Sequence, residues 1–367
     1  MEQIFSKQIV NSGRQKELDF AKGLAIIFMV LVHTGEYFQG ESGELYERIV
    51  EFLGSPPAAP IFMMLLGVGI VYSKKNSAEE LLKRGIILLI GGYIFNIFRE
   101  GIPYMLLAKR TGDITYIVEA KAYLVGIDIL AFAGLTFLFF GLIKKFNIKD
   151  KYIPVIWCGF ASLNLMLRGI SFENNTLNAV GGLFWGTFEN SWFPFLTWIF
   201  YPILGYFFAL LLIRCKDKDV FYKWILVSMG ILTSVLWLYA YINDVRFGAF
   251  GELYQTEYYH HDLMGNMVLG TFALFWLSLC FYVLKVIPEG IYRVFARWSR
   301  NTNMIYCIHY LMLGWLILII EAEAQSPKIV MIIAISVFIA TDLVCMAIQR
   351  YIKPKRAKAQ STNIQGA

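Results

Sequence analysis

Residues 14–38 read RQKELDFAKGLAIIFMVLVHTGEYF, a stretch whose apolar run over 24–35 contains one ionisable side chain, that of His33. Lys22 lies eleven residues before His33, which is about three helical turns, so both side chains project from one stripe of a helix. At about 1.5 Å per residue they stand roughly 16 Å apart along that stripe. Ionisable groups are costly inside a membrane and histidine titrates near neutrality, so we interpret His33 as a functional residue of a membrane-spanning helix.

The chain as a whole is too apolar for a soluble protein of its size. Of its 367 residues, 57% are hydrophobic and only 16% are charged. Ten charge-poor stretches are expected to cross a bilayer, at residues 20–38, 52–73, 85–98, 127–143, 152–167, 191–213, 224–243, 263–284, 301–320 and 328–350. The sequence therefore predicts an all-α fold: a polytopic integral membrane helix bundle of about ten transmembrane spans over residues 1–352, followed by a disordered cytoplasmic tail over 353–367.

The distribution of basic residues predicts the orientation of these spans. If the N-terminus is cytoplasmic, 25 of the 33 Lys and Arg residues lie in cytoplasmic segments and eight in outer segments. Such an excess is typical of cytoplasmic loops. We therefore expect a multi-pass protein of the cell membrane with its N-terminus and C-terminus in the cytoplasm. The net charge of +6 then lies beside anionic lipid, and nucleic acid is not expected as a partner.

Two neighbouring histidines near the outer face raise the question of a metal site. Side chains of adjacent helical residues diverge by about 100°, so His260 and His261 can chelate one ion only from an irregular loop. The five cysteines fall in expected spans or in a cytoplasmic loop, so neither a disulfide nor a metal site is expected. We interpret His260 and His261 instead as candidate substrate-binding residues at an outer rim or as an interfacial cluster.

The first stretch resembles the first span of the transmembrane acyltransferase superfamily, which includes the acyltransferase type 3 proteins and the catalytic domain of heparan-α-glucosaminide N-acetyltransferase. The pattern of that span is an acidic residue, a basic residue followed by Gly, and a His; here it is Asp19, Lys22–Gly23 and His33. Many relatives carry Arg at the position of Lys22, and Lys keeps the charge but lacks the bidentate fork. Four further stretches are similar to later spans: PAAPIFMMLLGVGIVYS (57–73), LLKRGIILLIGG (81–92), FPFLTWIFYPILGYFFALLL (193–212) and WSRNTNMIYCIHYLML (298–313).

This resemblance implies an integral membrane acyltransferase. It implies transfer of an acyl group, expected to be acetyl, from cytosolic acyl-CoA to an extracytoplasmic carbohydrate hydroxyl or amine. The acceptor is then a glycan or glycolipid, and a homodimer is a possible assembly. His33 is the candidate general base or transient acyl carrier, with Asp19 and Lys22 as further candidate catalytic residues on its helix.

The same resemblance suggests where the acyl-CoA binds. Its phosphates are expected among cations at the cytoplasmic ends of the helices, namely Lys22, Lys83, Arg84 and Arg300. Tyr306 and His309 lie three residues apart on one helix face. They are candidate residues for orienting the thioester, although a polar seam between packed helices explains them equally well.

Two acidic residues occur within or beside expected spans. Asp128, at the outer end of the fourth span, is a candidate for orienting His33 or binding an acceptor hydroxyl, but a solvated interfacial acid is the favoured interpretation. Asp342 lies deeper in the last span, so it must be paired or neutral. The sequence does not name its partner.

A proton-coupled secondary transporter or a flippase with the same bundle is the alternative function. In that case His33, His309 and Asp342 would relay protons. Transporters commonly contain matched pairs of Gly- or Pro-broken helices in two halves of the chain, and the sequence shows no such repeat. The glycine-rich stretch LLGVGI (65–70) follows no strand, so it predicts close helix packing rather than a nucleotide-binding loop.

Overall fold

The computed structural model of the protein describes residues 4–40, 44–167, 169–187, 190–243 and 258–365. Within these ranges the chain is helical and contains no β-strand. The α-helices are α1 (Lys16–Phe38), α2 (Glu44–Gly54), α3 (Ala59–Tyr72), α4 (Ala78–Asn96), α5 (Ile102–Thr111), α6 (Thr115–Leu124), α7 (Ile129–Lys145), α8 (Ile153–Leu167), α9 (Asn175–Trp185), α10 (Phe195–Trp198), α11 (Phe200–Leu212), α12 (Lys218–Ile242), α13 (Leu263–Leu284), α14 (Glu289–Arg300), α15 (Thr302–Leu316) and α16 (Pro327–Gln365). A π-helical turn, Ile97–Gly101, joins α4 to α5, and a 3-10 turn, Asp150–Tyr152, precedes α8.

Seven helical runs in these ranges are long and apolar enough to cross a membrane. They are Lys16–Phe38, Leu45–Tyr72, Ala78–Thr111, Phe195–Leu212, Lys218–Ile242, Leu263–Leu284 and Pro327–Tyr351. The protein is therefore an all-helical, multi-pass membrane protein, as predicted. The other three expected spans correspond to α7, α8 and α15, which have 17, 15 and 15 residues. A helix of 15 residues rises only about 22 Å against a hydrocarbon core of ~30 Å, so the count of ten stays a prediction.

Several helices turn long apolar faces outward. On α12, Trp224, Val227, Ile231, Val235 and Leu238 recur at helical spacing and are 53–68% exposed. Such a face is unfavourable in water and favourable in lipid. Similar exposed faces on α4 and α16 contain Ile86, Ile87, Ile90, Ile94, Ile332, Ile335, Ile339 and Leu343. We assign these faces to the bilayer.

Helices α3 and α11 touch backbone to backbone. A Cβ added to Gly67 would lie 1.9 Å from the carbonyl oxygen of Pro202, and one added to Gly205 would lie 1.8 Å from that of Met64. Both positions therefore require glycine. The prediction that the stretch 65–70 packs helices closely is confirmed.

Helix α1 lies at the centre of the bundle and packs against α2, α3, α13, α14, α15 and α16. Before it begins, Phe5 forms a backbone bridge with Cys215; after it ends, Gln39 forms one with Gln325. The end of α1 that contains His33 therefore lies beside the connection between α15 and α16.

The last helix extends beyond the expected final span. Residues 353–367 are predicted to be disordered, whereas α16 continues to Gln365 and only 366–367 lie outside the described ranges. Lys, Arg, Ala and Gln make up most of residues 353–360, and these residues have high helix propensity. Pro354 lies in the same segment and opposes helix, so the disorder of the tail stays a prediction.

The acidic residue of the last span is paired. Arg297 of α14 donates from Nη2 to the Asp342 carboxylate, whose side chain is 14% exposed. Because the partner lies on another helix, the ion pair joins α14 to α16.

Candidate active site

The last turns of α1 hold a histidine and a carboxylate side by side. His33 Nδ1 lies 2.5 Å from Oε2 of Glu36, and the two side chains are 17% and 45% exposed. They are three residues apart, so they share a helix face. An ionised carboxylate only accepts hydrogen bonds, so Nδ1 carries the hydrogen and Nε2 keeps its lone pair. The pair therefore presents a base at Nε2.

Tyr310 of α15 contacts the same imidazole. Its hydroxyl oxygen lies 2.9 Å from Nδ1 and 3.0 Å from Nε2 of His33. The two ring centroids are 4.4 Å apart. The phenol is thus within reach of any group that reacts at His33.

The neighbouring residue on α15 is a second, fully buried histidine. His309 Nδ1 lies 2.9 Å from the carbonyl oxygen of Ile305. A carbonyl only accepts, so Nδ1 donates, and Nε2 holds a lone pair that has no hydrogen-bond partner within the described residues. The His309 ring lies 5.7 Å from that of His33 at an interplanar angle of 27°. An unpaired buried acceptor costs about 1–3 kcal/mol, so this atom is suited to a ligand's hydrogen-bond donor.

The π-helical turn Ile97–Gly101 brings an ion-pair network to this site. Arg99 is 1% exposed and donates from Nη1 to Oδ2 of Asp128 (2.5 Å) and from Nη2 to Oε2 of Glu100 (2.9 Å). Gly314 of α15 makes room for the turn, because an added Cβ would lie 1.8 Å from the Arg99 carbonyl oxygen. π-Helical turns occur frequently at functional sites.

Three tyrosines surround this arginine. Tyr306 donates its hydroxyl hydrogen to Asp128, and Tyr37 donates to Glu100. The Arg99 guanidinium carbon lies 4.4 Å from the ring centroid of Tyr310. The network therefore extends from the π-helical turn through Tyr310 to His33.

The favoured interpretation of Asp128 as a solvated interfacial acid is wrong. Its residue is 6% exposed, because Arg99 and Tyr306 close over the carboxylate. The carboxylate also caps α7 by accepting from the Leu130 backbone N–H at 2.8 Å. The described contacts join Asp128 to His33 indirectly, by way of Arg99 and Tyr310.

The structure keeps Asp19 away from His33. Its carboxylate accepts hydrogen bonds from Arg14 Nη2 at 2.7 Å, Ser299 Oγ at 2.8 Å and the Tyr292 hydroxyl at 3.5 Å. The hydrogen bond to Asp19 raises the pKa of Arg14. Asp19 precedes His33 by fourteen residues, about 21 Å along the helix. The carboxylate thus ties the start of α1 to α14, and the catalytic role of Asp19 stays a prediction.

The predicted phosphate-binding cations lie on two helix pairs. Lys22 is partly buried on α1, next to Gly23, which packs against Phe295 of α14. Arg84 of α4 lies over the Phe137 ring of α7, with 4.9 Å from the guanidinium carbon to the ring centroid. Lys83 and Arg300 are exposed. All four lie near the starts of α1 and α4 or the end of α14, away from His33.

The neighbouring histidines His260 and His261 differ in their surroundings. His261 is 1% exposed, and its nitrogens lie 2.6 Å from the Tyr258 carbonyl oxygen and 2.9 Å from the Tyr201 hydroxyl. Burial lowers the pKa of His261 to about 4, so it is neutral at pH 7. His260 Nε2 lies 2.6 Å from the Ser191 carbonyl oxygen. The ring of His261 is enclosed and hydrogen-bonded within the protein, and the substrate role of the two histidines stays a prediction. The described residues contain no group of three His, Cys, Asp or Glu side chains arranged to hold a metal ion.

Comparison with protein families identifies the chain. A family profile described as an acyltransferase domain matches residues 15–350. The chain belongs to the acyltransferase 3 family. No curated protein matches it. The match extends over every site residue described above except Arg14, and it confirms the resemblance to the transmembrane acyltransferase superfamily.

An acyltransferase needs a group that takes the acceptor's proton or carries the acyl group. In this family member, His33 with Glu36 is a candidate for such a group, and His309 and Tyr310 lie directly beside it. Asp19 and Lys22 lie toward the start of α1, whereas the other predicted cations lie near the start of α4 (Lys83 and Arg84) and at the end of α14 (Arg300). Two groups of residues result. We call the first the histidine centre; it consists of His33, Glu36, Tyr37, Arg99, Glu100, Asp128, Tyr306, His309 and Tyr310. We call the second the basic end; it consists of Lys22, Lys83, Arg84 and Arg300.

Five residues of this centre do not stand out in the sequence: Glu36, Tyr37, Arg99, Glu100 and Tyr310. Weak signals exist for some of them. Glu36 follows His33 by three residues, and Arg99–Glu100 is an adjacent charged pair directly after the expected span 85–98. The expected span ended before Arg99, so this arginine counted among the outer charges, whereas it is buried in the bundle.

Proposed function

We propose that the protein transfers an acyl group from a cytosolic acyl-CoA thioester to a hydroxyl or amine of a carbohydrate outside the cell membrane. Acetyl-CoA is the expected donor, and a glycan or glycolipid is the expected acceptor. The observation that carries the proposal is the contact between Glu36 and His33, 2.5 Å from carboxylate to imidazole. This contact orients the imidazole and would stabilise its protonated form.

In this mechanism His33 acts as the general base. The acceptor's hydroxyl or amine gives its proton to Nε2 as its oxygen or nitrogen attacks the thioester carbonyl carbon. Glu36 stabilises the imidazolium that results, and the imidazolium then protonates the leaving thiolate. Glu36 is the more exposed of the two side chains, which supports approach of the acceptor from that end of α1.

The donor would reach the site from the other end of α1. The pantetheine arm of CoA contains amide N–H groups, and the unpaired Nε2 of His309 is an acceptor suited to one of them. Charge-assisted hydrogen bonds from Lys22, Lys83, Arg84 and Arg300 would hold the phosphates. The position of His309 next to His33 supports this path, because it would place the thioester at the base.

The test measures transfer by the full-length protein in lipid nanodiscs. Radiolabelled acetyl-CoA and a panel of oligosaccharides are supplied, and label in the glycan is quantified.

His33→Ala should reduce transfer at least ~10²-fold, as expected for loss of a general base, and Glu36→Gln should also reduce transfer. Thr34→Val is the matched control, because Thr34 donates only to the Val30 carbonyl of its own helix. Equal rates in His33→Ala and wild type would contradict the proposal, and uptake of unmodified substrate without labelling would favour a transporter.

A further inference from the structure

We propose that Tyr310 is a further catalytic residue: its phenolic hydrogen bonds to the thioester carbonyl oxygen as that oxygen becomes negative, and Arg99 positions and polarises the phenol. The inference rests on the proposed acyl transfer. His33 removes the acceptor's proton, whereas Tyr310 would stabilise the oxyanion of the tetrahedral intermediate, which a base does not do.

The first support is the position of the hydroxyl. It lies 2.9–3.0 Å from the nitrogens of His33. An acceptor that gives its proton to His33 Nε2 must place the attacked carbonyl within a few ångströms of the imidazole. The carbonyl oxygen is then within hydrogen-bond reach of Tyr310.

The second support is the hydrogen bonding of the three tyrosines around Arg99. The hydroxyl hydrogens of Tyr37 and Tyr306 are donated to the carboxylates of Glu100 and Asp128. In the described part of the chain, the Tyr310 hydroxyl contacts the His33 ring and no carboxylate. Because Nδ1 of His33 carries a hydrogen, the phenol donates to Nε2 before the reaction. Once Nε2 takes the acceptor's proton it no longer accepts, so the phenolic hydrogen turns to the substrate oxygen.

The third support is the buried cation over the Tyr310 ring. The guanidinium carbon of Arg99 lies 4.4 Å from the ring centroid, and Arg99 is 1% exposed. A positive charge on the face of a phenol draws electron density from its oxygen and makes the O–H group a stronger donor. The effect is larger in a medium of low dielectric constant.

The fourth support is the spacing of Tyr310 and Gly314 on α15. Tyr310 and Gly314 are four residues apart and share a helix face. The missing side chain of Gly314 lets α15 approach the Arg99 carbonyl, where an added Cβ would lie at 1.8 Å. One helix thus presents the phenol and accommodates the backbone of the arginine that covers it.

The acyl transfer proceeds by addition of the acceptor and then loss of the thiolate. The acceptor's oxygen or nitrogen forms a bond to the thioester carbonyl carbon, its proton passes to His33 Nε2, and the carbonyl π electrons move to oxygen, where Tyr310 donates a hydrogen bond. The carbonyl then re-forms, the carbon–sulfur bond breaks, and the thiolate takes the proton from His33. Tyr310 keeps its own proton throughout.

The test compares full-length variants in nanodiscs with acetyl-CoA as the donor. Tyr310→Phe should lower kcat on the order of 10²–10³-fold while the affinity for acetyl-CoA changes by less than about threefold. Tyr222→Phe is the matched control, since that buried tyrosine bonds Glu17 at the other end of α1. A packing role alone would leave Tyr310→Phe active, because the ring is retained. A kcat within about threefold of wild type would therefore overturn the proposal.

Fluorinated tyrosines at position 310 give a test that does not depend on removing the hydroxyl. Fluorine makes the phenol more acidic and changes its size little, so kcat should rise with fluorination at a pH where the phenol stays protonated. A rate independent of fluorination would overturn the proposal even if Tyr310→Phe failed to fold. A wild-type protein without acyl transfer would instead contradict the proposed function.

The role of Arg99 is tested through Gly314. Gly314→Ala should displace the Arg99 backbone and lower kcat roughly tenfold with little change in donor affinity. Gly69→Ala is the matched control, because nothing lies within 4 Å of the added Cβ. A fluorinated tyrosine at position 310 should restore part of the kcat that Gly314→Ala loses. A more acidic phenol is a strong hydrogen-bond donor even when Arg99 polarises it less. Absence of any restoration would remove Arg99 from the proposal.

Discussion

Arg99 and Asp128 form a buried ion pair, with 2.5 Å between Nη1 and Oδ2. Their side chains are 2% and 8% exposed. One residue lies in the π-helical turn and the other caps α7, so the pair joins α4 to α7 directly beside the histidine centre. Glu100 adds a second carboxylate to the same guanidinium.

Loss of this arginine should destabilise the fold strongly. Arg99→Met leaves Glu100 and Asp128 buried without their cation, and removal of one partner from a buried pair costs about 3–5 kcal/mol. Thermal unfolding of the detergent-solubilised protein checks this. Arg293→Met is the control, since the Arg293 side chain is 78% exposed beside Glu289 and should change stability by less than about 1 kcal/mol. Equal melting temperatures for the two variants would contradict the assignment.

The basic end of the bundle should govern donor affinity. Arg84→Ala and Arg300→Ala should each weaken acyl-CoA binding by roughly 1–3 kcal/mol if the phosphates bind there. Lys22→Arg should be tolerated, because it keeps the charge and adds a bidentate donor. Binding is measured by titration of acetyl-CoA into nanodiscs, with exposed Lys149→Ala as the control. An unchanged dissociation constant in the Arg84→Ala, Arg300→Ala double variant would exclude this site.

His261 should make the protein less stable in acid. An unfolded histidine binds a proton near pH 6.5, whereas burial lowers the pKa of folded His261 to about 4. Between these pH values the unfolded state holds more protons, so the free energy of unfolding decreases as the pH falls, by up to about 3 kcal/mol. Melting temperatures of wild type and His261→Gln between pH 7 and pH 4 provide the measurement. The same pH dependence in both proteins would show that His261 is not the responsible group.

Close contact between α3 and α11 should depend on two glycines. Gly67→Ala or Gly205→Ala forces a methyl group into a backbone carbonyl, and overpacking of this kind typically costs about 1–3 kcal/mol. Gly69→Ala, on the same helix with open space around the added Cβ, should be close to wild type. The melting temperatures of the three variants are compared by thermal unfolding. Equal stability of Gly67→Ala and Gly69→Ala would show that the helices separate at no cost.

The predicted orientation can be tested by labelling. Single cysteines replacing Asp113, between α5 and α6, and Lys149, before the 3-10 turn, lie at opposite ends of the bundle. A membrane-impermeant maleimide should label intact cells at position 113 but not at position 149, as the excess of basic residues on one side predicts. Labelling at position 149 from outside would reverse the orientation of every span.

Hydrophobicity and local spacing were sufficient to predict several features correctly. The apolar stretches determine an all-helical membrane protein, since helices satisfy their backbone hydrogen bonds internally in lipid. The pattern of Asp19, Lys22 and His33 pointed to the acyltransferase family that the match over 15–350 shows, whereas the functional role of His33 stays a prediction. These signals lie within a few helical turns, so they do not depend on how the helices pack.

Tertiary packing alone decided which side chains meet. Asp128 is separated in sequence by 29 residues from Arg99 and by 178 from Tyr306, and Tyr310 by 277 from His33. An acidic residue at the end of a span is interpreted as solvent-exposed when its basic partner lies in a distant segment of the sequence. Asp128 was misinterpreted for this reason. The sequence likewise did not show that Arg14 and Ser299 bind the Asp19 carboxylate at the start of α1. The sequence by itself determined the all-helical membrane fold and contained the family pattern that ends in His33, because periodicity, spacing and hydrophobicity are local. The partners of that histidine were decided by the packing of α1, α15 and the π-helical turn, because charges and hydrogen bonds act between atoms that only the folded chain brings together.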